Sequence, residues 1–157
     1  MANFHVWRPS SARRVVFDGF VPVPRGSGVV PPLAWPAKDP ADVLDYEFDF
    51  SAALVGNEGD ELSGVSVAVT PEGAGAVAVN SVAGDGGMAV LWLSGGQAGV
   101  VYSVQVSVTT ASGRSLGRAV LLPVVALAGA GAAAGILVTE LGVAITDQAG
   151  AALAIGG

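Results

Sequence analysis

The central part of the chain alternates apolar and polar residues with a period of two. Successive side chains of a β-strand point to opposite faces, so each such segment predicts a strand with one buried face. One of these segments, 88–93, is apolar on both faces, as expected of a central strand. The predicted strands are 44–50, 64–70, 76–80, 88–93, 101–110 and 115–125.

Short clusters rich in glycine and polar residues separate these segments. They read "GNEGDE", "PEGAG", "AGDGG", "SGGQAG" and "ASGR". Six or seven short strands spaced by turns are typical of a small immunoglobulin-like β-sandwich. We therefore predict an all-β domain over residues 35–125.

The first predicted strand contains "DYEFDF", in which acids alternate with aromatic rings. The rings of Tyr46, Phe48 and Phe50 are expected inside the sandwich, which leaves a row of like charges outside. Such a row is consistent with a solvated face that discourages edge aggregation, with a docking strip for a basic partner, or with a cation site. The row consists of Asp45, Glu47 and Asp49.

Residues 1–34 show no clear period and are predicted to form an extended arm. The segment "VPVPRGSGVVPP" favours extended backbone, because proline fixes φ and disfavours helix in the residue before it. An arm this apolar is expected to find burial, either on its own domain or on a neighbouring subunit. Its basic charge favours the neighbour, and its expected anchors are Phe4, Trp7, Arg13, Arg14 and Phe17.

Charge is unevenly distributed along the chain. Residues 1–38 carry five basic residues against Asp18, whereas residues 39–61 carry eight acids and no base. This division makes copies of the chain complementary to one another and favours a homo-oligomer, in a symmetric ring or other assembly. The net charge of −6 and the scattered cations argue against nucleic-acid binding.

Residues 126–157 differ again in composition. A linker of small residues precedes an eight-residue repeat, since "TELGVAI" at 139–145 is similar to "DQAGAAL" at 147–153. This repeat predicts a short β-meander that needs partners for burial. The uncharged stretch 119–138 is interpreted as a buried strand and linker rather than a membrane span, and the first residues lack the pattern of a signal peptide.

Apart from the cation site left open for the acidic row, no set of residues indicates catalysis, a cofactor or a metal. "LSGGQ" at 93–97 has the letters of a nucleotide-binding signature, but it lies between predicted strands, and the phosphate loop that it serves is missing. His5 is the only histidine and there is no cysteine, which argues against a catalytic triad and a zinc site. Trp35 could stack on a sugar as in a carbohydrate-binding module, whereas Trp92 is predicted to lie in the core.

Several motifs resemble a family of small tailed-phage virion proteins, the fibre–tail adaptors or immunoglobulin-like virion proteins. They are a Trp-Pro-x-Lys-Asp-Pro opening, a Leu-Asp-Tyr-x-x-Asp strand, a Leu-Ser-Gly-Gly-x-x-Gly-x-x-Tyr turn, and Thr-x-x-Gly-Arg before the last strand. The resemblance lies within 33–54, 90–114 and 118–124. It covers the sandwich but neither the arm nor the tail.

The resemblance implies a non-enzymatic structural role at the tail, baseplate or neck of a virion assembled in the host cytoplasm. The partners would be other virion proteins, with no nucleic acid and no membrane. Two alternatives remain open at this point. One is a capsid decoration or head-fibre protein, and the other is a carbohydrate-binding or adhesin module.

Overall fold

A computed structural model describes residues 9–18, 26, 31–56 and 59–128 of the chain. The chain divides into a unit of residues 1–127 and a second unit of residues 128–157. Only Ala128 of the second unit is described, so the predicted repeat at 139–153 lies outside the described residues. All the described helices and strands belong to the first unit.

The described residues of this unit form seven strands and two single helical turns. The turns are a 3₁₀ helix, Ser11–Arg13, and α1, Ser51–Leu54. The strands are β1 Arg14–Val16, β2 Leu44–Asp49, β3 Leu62–Thr70, β4 Val77–Asp85, β5 Met88–Gly95, β6 Val101–Thr110 and β7 Ser115–Pro123. All six strands predicted from the sequence are present, and the three-residue β1 was not predicted.

The strands form two sheets in a sandwich-like arrangement. One sheet has the order β1-β2-β5-β4 and the other has the order β3-β6-β7. Lettered in chain order, these are the A-B-E-D and C-F-G sheets of a constant-type immunoglobulin domain. Strand β1 departs from a simple antiparallel arrangement because it pairs parallel to β2. The all-β sandwich prediction is confirmed.

The core lies between the sheets and follows the alternation in the sequence. Tyr46, Phe48 and Phe50 of the first sheet are fully buried. Burial of each ring stabilises the fold by about 2–3 kcal/mol. The facing sheet contributes the even-numbered residues of β6, Tyr102, Val104, Val106 and Val108.

The two tryptophans singled out in the sequence occupy different positions. Trp35 is only 3% exposed and lies 4.5 Å from the Tyr46 ring, centroid to centroid. Its burial leaves no ring face for a sugar, so the stacking role considered for Trp35 is wrong. Trp92 is half-buried, opposite Asp45 on the outer face of central strand β5, so its predicted place in the core is wrong.

Residues 33–38 run beside the last strand and connect the arm to the sandwich. The Leu33 carbonyl accepts from Leu121 N–H, and Trp35 N–H donates to the Leu121 carbonyl. Further along, Lys38 N–H donates to the Pro123 carbonyl. The sandwich therefore includes backbone pairing that begins two residues before its predicted start at 35.

Residues 119–138 are predicted from the sequence to be a buried strand and a linker rather than a membrane span. The first part of this stretch belongs to β7, and residues 129–138 lie outside the described residues. Among the residues that the structure describes, no helix has both the length and the apolar character needed to cross a membrane.

Candidate interface of the N-terminal arm

Strand β1 places the basic part of the arm along the edge of β2. Its parallel register pairs Arg14 with Glu47 and Val16 with Asp49. The pairing continues one residue further, where Phe17 N–H donates to the Asp49 carbonyl at 2.7 Å. Because side chains at paired positions share a face, this register places Arg14 beside the acidic row, and Arg13 precedes it in the 3₁₀ turn.

Two arginines cover the three carboxylates. Arg13 donates from Nη2 to Asp45 Oδ1 at 2.8 Å and from Nε to the Asp45 backbone carbonyl at 2.7 Å. Arg14 forms ion pairs from Nε to Glu47 Oε1, at 3.1 Å, and from Nη2 to Asp49. We call these contacts the arm latch: Arg13 and Arg14 on Asp45, Glu47 and Asp49.

The acidic row is buried, and its predicted exposure is wrong. The exposed fractions of Asp45, Glu47 and Asp49 are 3%, 6% and 6%. The prediction failed because it treated β2 as having an open outer face, whereas the arm lies along it. The energetic cost of burying three like charges is offset because each carboxylate gains a guanidinium partner.

The latch affects protonation as well as burial. Burial acts to raise the pKa of Asp49, but hydrogen bonds from Ser51 and Arg14, with the charge of Arg14, outweigh it. The net effect is a pKa of Asp49 below its usual range. In turn, the hydrogen bond to Asp49 and its charge raise the pKa of Arg14. The pair is therefore charged at neutral pH.

Phe17 supplies the apolar contact that follows the latch. It is 2% exposed, and its ring lies 4.5 Å from that of Phe50, centroid to centroid. The Arg118 guanidinium lies 4.1 Å above the Phe17 ring and 3.3 Å from Asp18. Sequence reasoning missed the part played by Arg118, because a residue one hundred positions away gives no local signal.

The structure thus brings together six of the eight predicted interface residues. Phe4 and Trp7 lie outside the described residues. The contacts of the other six are within one chain, and docking of the arm on a neighbouring subunit stays a prediction. The six are Arg13, Arg14, Phe17, Asp45, Glu47 and Asp49.

Lys38, unlike the arginines of the latch, lies buried at one end of the sandwich. Lys38 is 0% exposed, and its Nζ donates to the carbonyls of Asp39 at 2.7 Å and Gly95 at 2.6 Å. Burial lowers the pKa of Lys38, while the charges of Asp42 and Asp39 act in the opposite direction. Lys38 therefore ties the Trp-Pro-x-Lys-Asp-Pro motif to the Leu-Ser-Gly-Gly motif.

The "LSGGQ" segment is a structural turn, as predicted. Gly96 has φ +100°, and a Cβ added there would lie 2.8 Å from Val124 and 2.9 Å from Val77. The Tyr102 hydroxyl accepts a hydrogen bond from Gln97 N–H at 3.0 Å. A tyrosine near the start of the F strand that bonds back to the preceding corner is a hallmark of immunoglobulin-like sandwiches.

The Thr-x-x-Gly-Arg motif holds the opposite end of the sandwich. Thr110 Oγ1 accepts from Arg114 N–H at 3.1 Å, and Gly113 occupies the turn with φ +88°. Arg114 then donates from Nη1 to the Ala53 carbonyl at 2.9 Å and lies 3.8 Å from Asp60. Three of the four motifs thus hold turns against strands, and the fourth, Leu-Asp-Tyr-x-x-Asp, is strand β2.

The fold and the site define an immunoglobulin-like β-sandwich whose motif residues maintain the fold and whose charged arm is held on the edge of one sheet. A sequence model of the family described as podophage GP4 fiber-tail adaptor protein gp77 matches residues 38–123, more than half of the chain. The chain belongs to this family. A search of curated proteins gives no match.

Family membership confirms the resemblance seen in the motifs. A fibre–tail adaptor family implies a virion component that binds other tail or fibre proteins. The matched residues begin at Lys38 and end at Pro123, so they include the buried lysine and both tied turns. They exclude the arm and all of its latch arginines.

Proposed function

We propose that this chain is a non-enzymatic structural protein that joins the tail, baseplate or neck of a podophage virion to its fibres. The family match over residues 38–123 is the observation that carries this proposal. The structure supports it, because the motif residues are committed to hydrogen bonds that hold turns and strands together. Assembly takes place in the host cytoplasm and requires no cofactor.

The arm supplies contacts between subunits in this proposal. The latch fixes its root, since Arg13 and Arg14 hold carboxylates that are at least nine-tenths buried. Phe17 adds an apolar contact beside them. Residues before Pro9, with Phe4 and Trp7 as anchors, then extend from a defined point toward a neighbouring subunit. An exchanged arrangement, in which the arm latches onto a neighbour's acidic row, uses the same pairs.

The subunits would form a symmetric ring. An arm on one edge of the sandwich and a receiving surface elsewhere make a head-to-tail contact, and such contacts close into rings when the rotation permits. A ring suits an adaptor because it can match a symmetric tail on one side and present fibre sites on the other.

Loss of the chain from its own phage tests the adaptor role. A nonsense mutation in the gene should give particles that keep filled heads but lack attached fibres, counted by negative-stain electron microscopy. Wild-type chain supplied in the host should restore the fibres. Normal fibre numbers on particles shown by mass spectrometry to lack the chain would overturn the proposal.

Two deletions test the arm. Removal of residues 1–24 takes away the latch and the anchors, and should prevent incorporation into particles. Removal of residues 1–8 keeps the latch and should weaken incorporation while leaving the sandwich folded, as measured by circular dichroism. Unchanged incorporation of both variants would remove the arm from the mechanism.

A further inference from the structure

The edge of the sandwich opposite the arm carries a groove that none of the described residues covers, lined by valine side chains and by backbone. It lies between β3 of one sheet and β4 of the other, which are edge strands. Three valines of β3 point into it and are half-buried, and Val82 of β4 is 38% exposed. The three valines are Val65, Val67 and Val69.

The groove is long enough for an extended peptide. One depression of about 270 Å³ is lined by residues from Leu62–Val65 together with Val82 and Gly84. Another of about 380 Å³ follows along the same two strands, between Val67 and Val79. Both lie beside β3, so a strand along that edge would cover them together.

The backbone of β3 is available on this side. Thr110 N–H of β6 bonds Arg114, so even-numbered β6 residues face β7 and odd-numbered ones face β3. The register Ser66 with Ser107 then directs the backbone groups of Val65, Val67 and Val69 to the free edge. Among described residues, only the first residue of β3 bonds outward, from Leu62 N–H to the Gly86 carbonyl.

This edge is where variable-type immunoglobulin domains place an additional strand, C′, beside strand C. Addition of a peptide strand to an exposed edge combines main-chain hydrogen bonds with pockets for alternate side chains. The groove here offers an edge without a strand partner among the described residues, and two depressions lined by valines together with backbone and polar groups.

Charge indicates what kind of strand fits. Exposed carboxylates stand at both ends of the groove, with Glu61 and Asp85 at one end and Glu72 at the other. No lysine or arginine lies on β3, β4 or β5. The groove therefore favours an apolar strand that carries positive charge and no acid.

Residues 1–8 of this chain, "MANFHVWR", have that character. Phe4 and Val6 alternate with His5 and Trp7, and Arg8 is the formal charge of the segment. In a strand, Phe4 and Val6 would share one face and fill the depressions. We propose that this segment of a second copy of the chain adds to the free edge of β3.

The length of residues 1–8 favours binding to the groove of a second copy over binding to the groove of the same chain. The arm leaves from β1, and β4 lies three strands away, about 14 Å at the usual strand spacing, with the β3 sheet about 10 Å beyond. Eight extended residues span at most about 29 Å. Crossing to its own groove would leave almost no chain to lie along β3.

This inference rests on the proposed function, because it names the surface that receives the arm within the proposed ring. An arm on one edge and its groove on the opposite edge make the contact head-to-tail. Purified protein tests it separately from fibre attachment in the phage.

Disulfide trapping is suited to this test because the chain has no cysteine. His5→Cys protein is mixed with Ser66→Cys or Ala68→Cys protein, since these exposed β3 positions share the outer face with His5 in the proposed strand. The matched control is Gln105→Cys, which is exposed on the same face but one strand inward. We expect a mixed disulfide dimer as the main product for at least one β3 position and background for the control.

Light scattering of the full chain provides the second measurement. The full chain should be an oligomer, and removal of residues 1–8 should reduce its mass to that of a monomer. Equal trapping at all three positions, or a monomeric full chain, would overturn the inference. So would an intrachain disulfide in the dilute double variant His5→Cys, Ala68→Cys, which would place the chain's own segment in the groove.

If fibres are lost in the phage test but trapping fails, the adaptor role stands and the groove takes a different partner. If trapping succeeds but fibres attach normally without the chain, the groove contact stands and the adaptor role fails. The two outcomes are therefore distinguishable.

Discussion

Two cation sites of this molecule show how differently a charge can serve a β-sandwich. Lys38 is fully buried and donates to backbone carbonyls of two chain segments. Arg14, by contrast, keeps 43% of its side chain exposed and pairs with carboxylates on a strand edge. The first arrangement holds the fold together, whereas the second attaches an arm to a finished fold.

The family match also separates these two cation sites. It starts at Lys38, so the buried lysine belongs to the part that matches the family, and the arm latch arginines do not. The matched residues therefore contain strands β2 to β7 of the sandwich but not β1. The arm and its latch are the parts through which we propose that subunits meet.

Replacement of Lys38 by Met should have the largest effect on stability. It removes the donor shared by the Asp39 and Gly95 carbonyls. The Asp39 carbonyl keeps a hydrogen bond from Asp42 N–H. Since one buried acceptor left unsatisfied costs about 1–3 kcal/mol, we expect the free energy of unfolding to fall by about 2 kcal/mol in urea titrations. The control Arg118→Met, at a half-exposed site, should lose less than about 1 kcal/mol. Equal losses for both variants would contradict the division between the two kinds of site.

Two tyrosines allow the next test with matched chemistry. Tyr102→Phe removes the acceptor for Gln97 N–H and should cost about 1 kcal/mol. Tyr46→Phe removes a buried hydroxyl that has no hydrogen-bond partner among the described residues, and whose burial raises its pKa to about 12. It should leave the melting temperature unchanged or raise it. The reverse order of the two melting temperatures would show that the corner bond does not stabilise the turn.

The latch should contribute less than these core contacts. A double-mutant cycle with Arg14→Gln and Asp49→Asn should give a coupling of about 0.5–1 kcal/mol, because Arg14 is partly exposed. The exposed pair Arg118 and Asp18 serves as control and should couple more weakly. A coupling for Arg14 and Asp49 no larger than that of the control would argue against the latch as a specific attachment.

Acid should release part of the latch's stabilisation. The pKa of Asp49 is lower in the folded protein than its usual value, so its contribution is present above about pH 4. That contribution is lost as the pH falls through the folded-state pKa. The stability difference between wild type and Asp49→Asn, measured by urea titration, should therefore shrink below about pH 4. If this stability difference instead grew on acidification, the pKa of Asp49 would be raised rather than lowered in the folded protein, which would contradict the prediction.

The sandwich could be predicted from the sequence because its strands and turns are each indicated by residues close together in the chain. Alternation along β2, β5 and β6 identifies the inward residues, and glycine-rich clusters mark the turns. Even the rejection of "LSGGQ" as a nucleotide motif follows from its position between strands. The sequence therefore predicted the strands, the core rings and the family.

The arm contacts could not be predicted in the same way. Strand β1 has three residues, too few for a visible period, and it pairs with a strand about thirty positions away. Without that pairing, the outer face of β2 appeared exposed. The burial of Lys38 was missed for a similar reason, since Gly95 is distant in sequence.

A reconstruction of the intact virion by electron cryo-microscopy tests the central claim most directly. The account predicts a ring of β-sandwiches between the tail and the fibres, in which residues 1–8 of each copy lie along β3 of the next. Isolated single copies, or sandwiches found on the capsid surface, would contradict it.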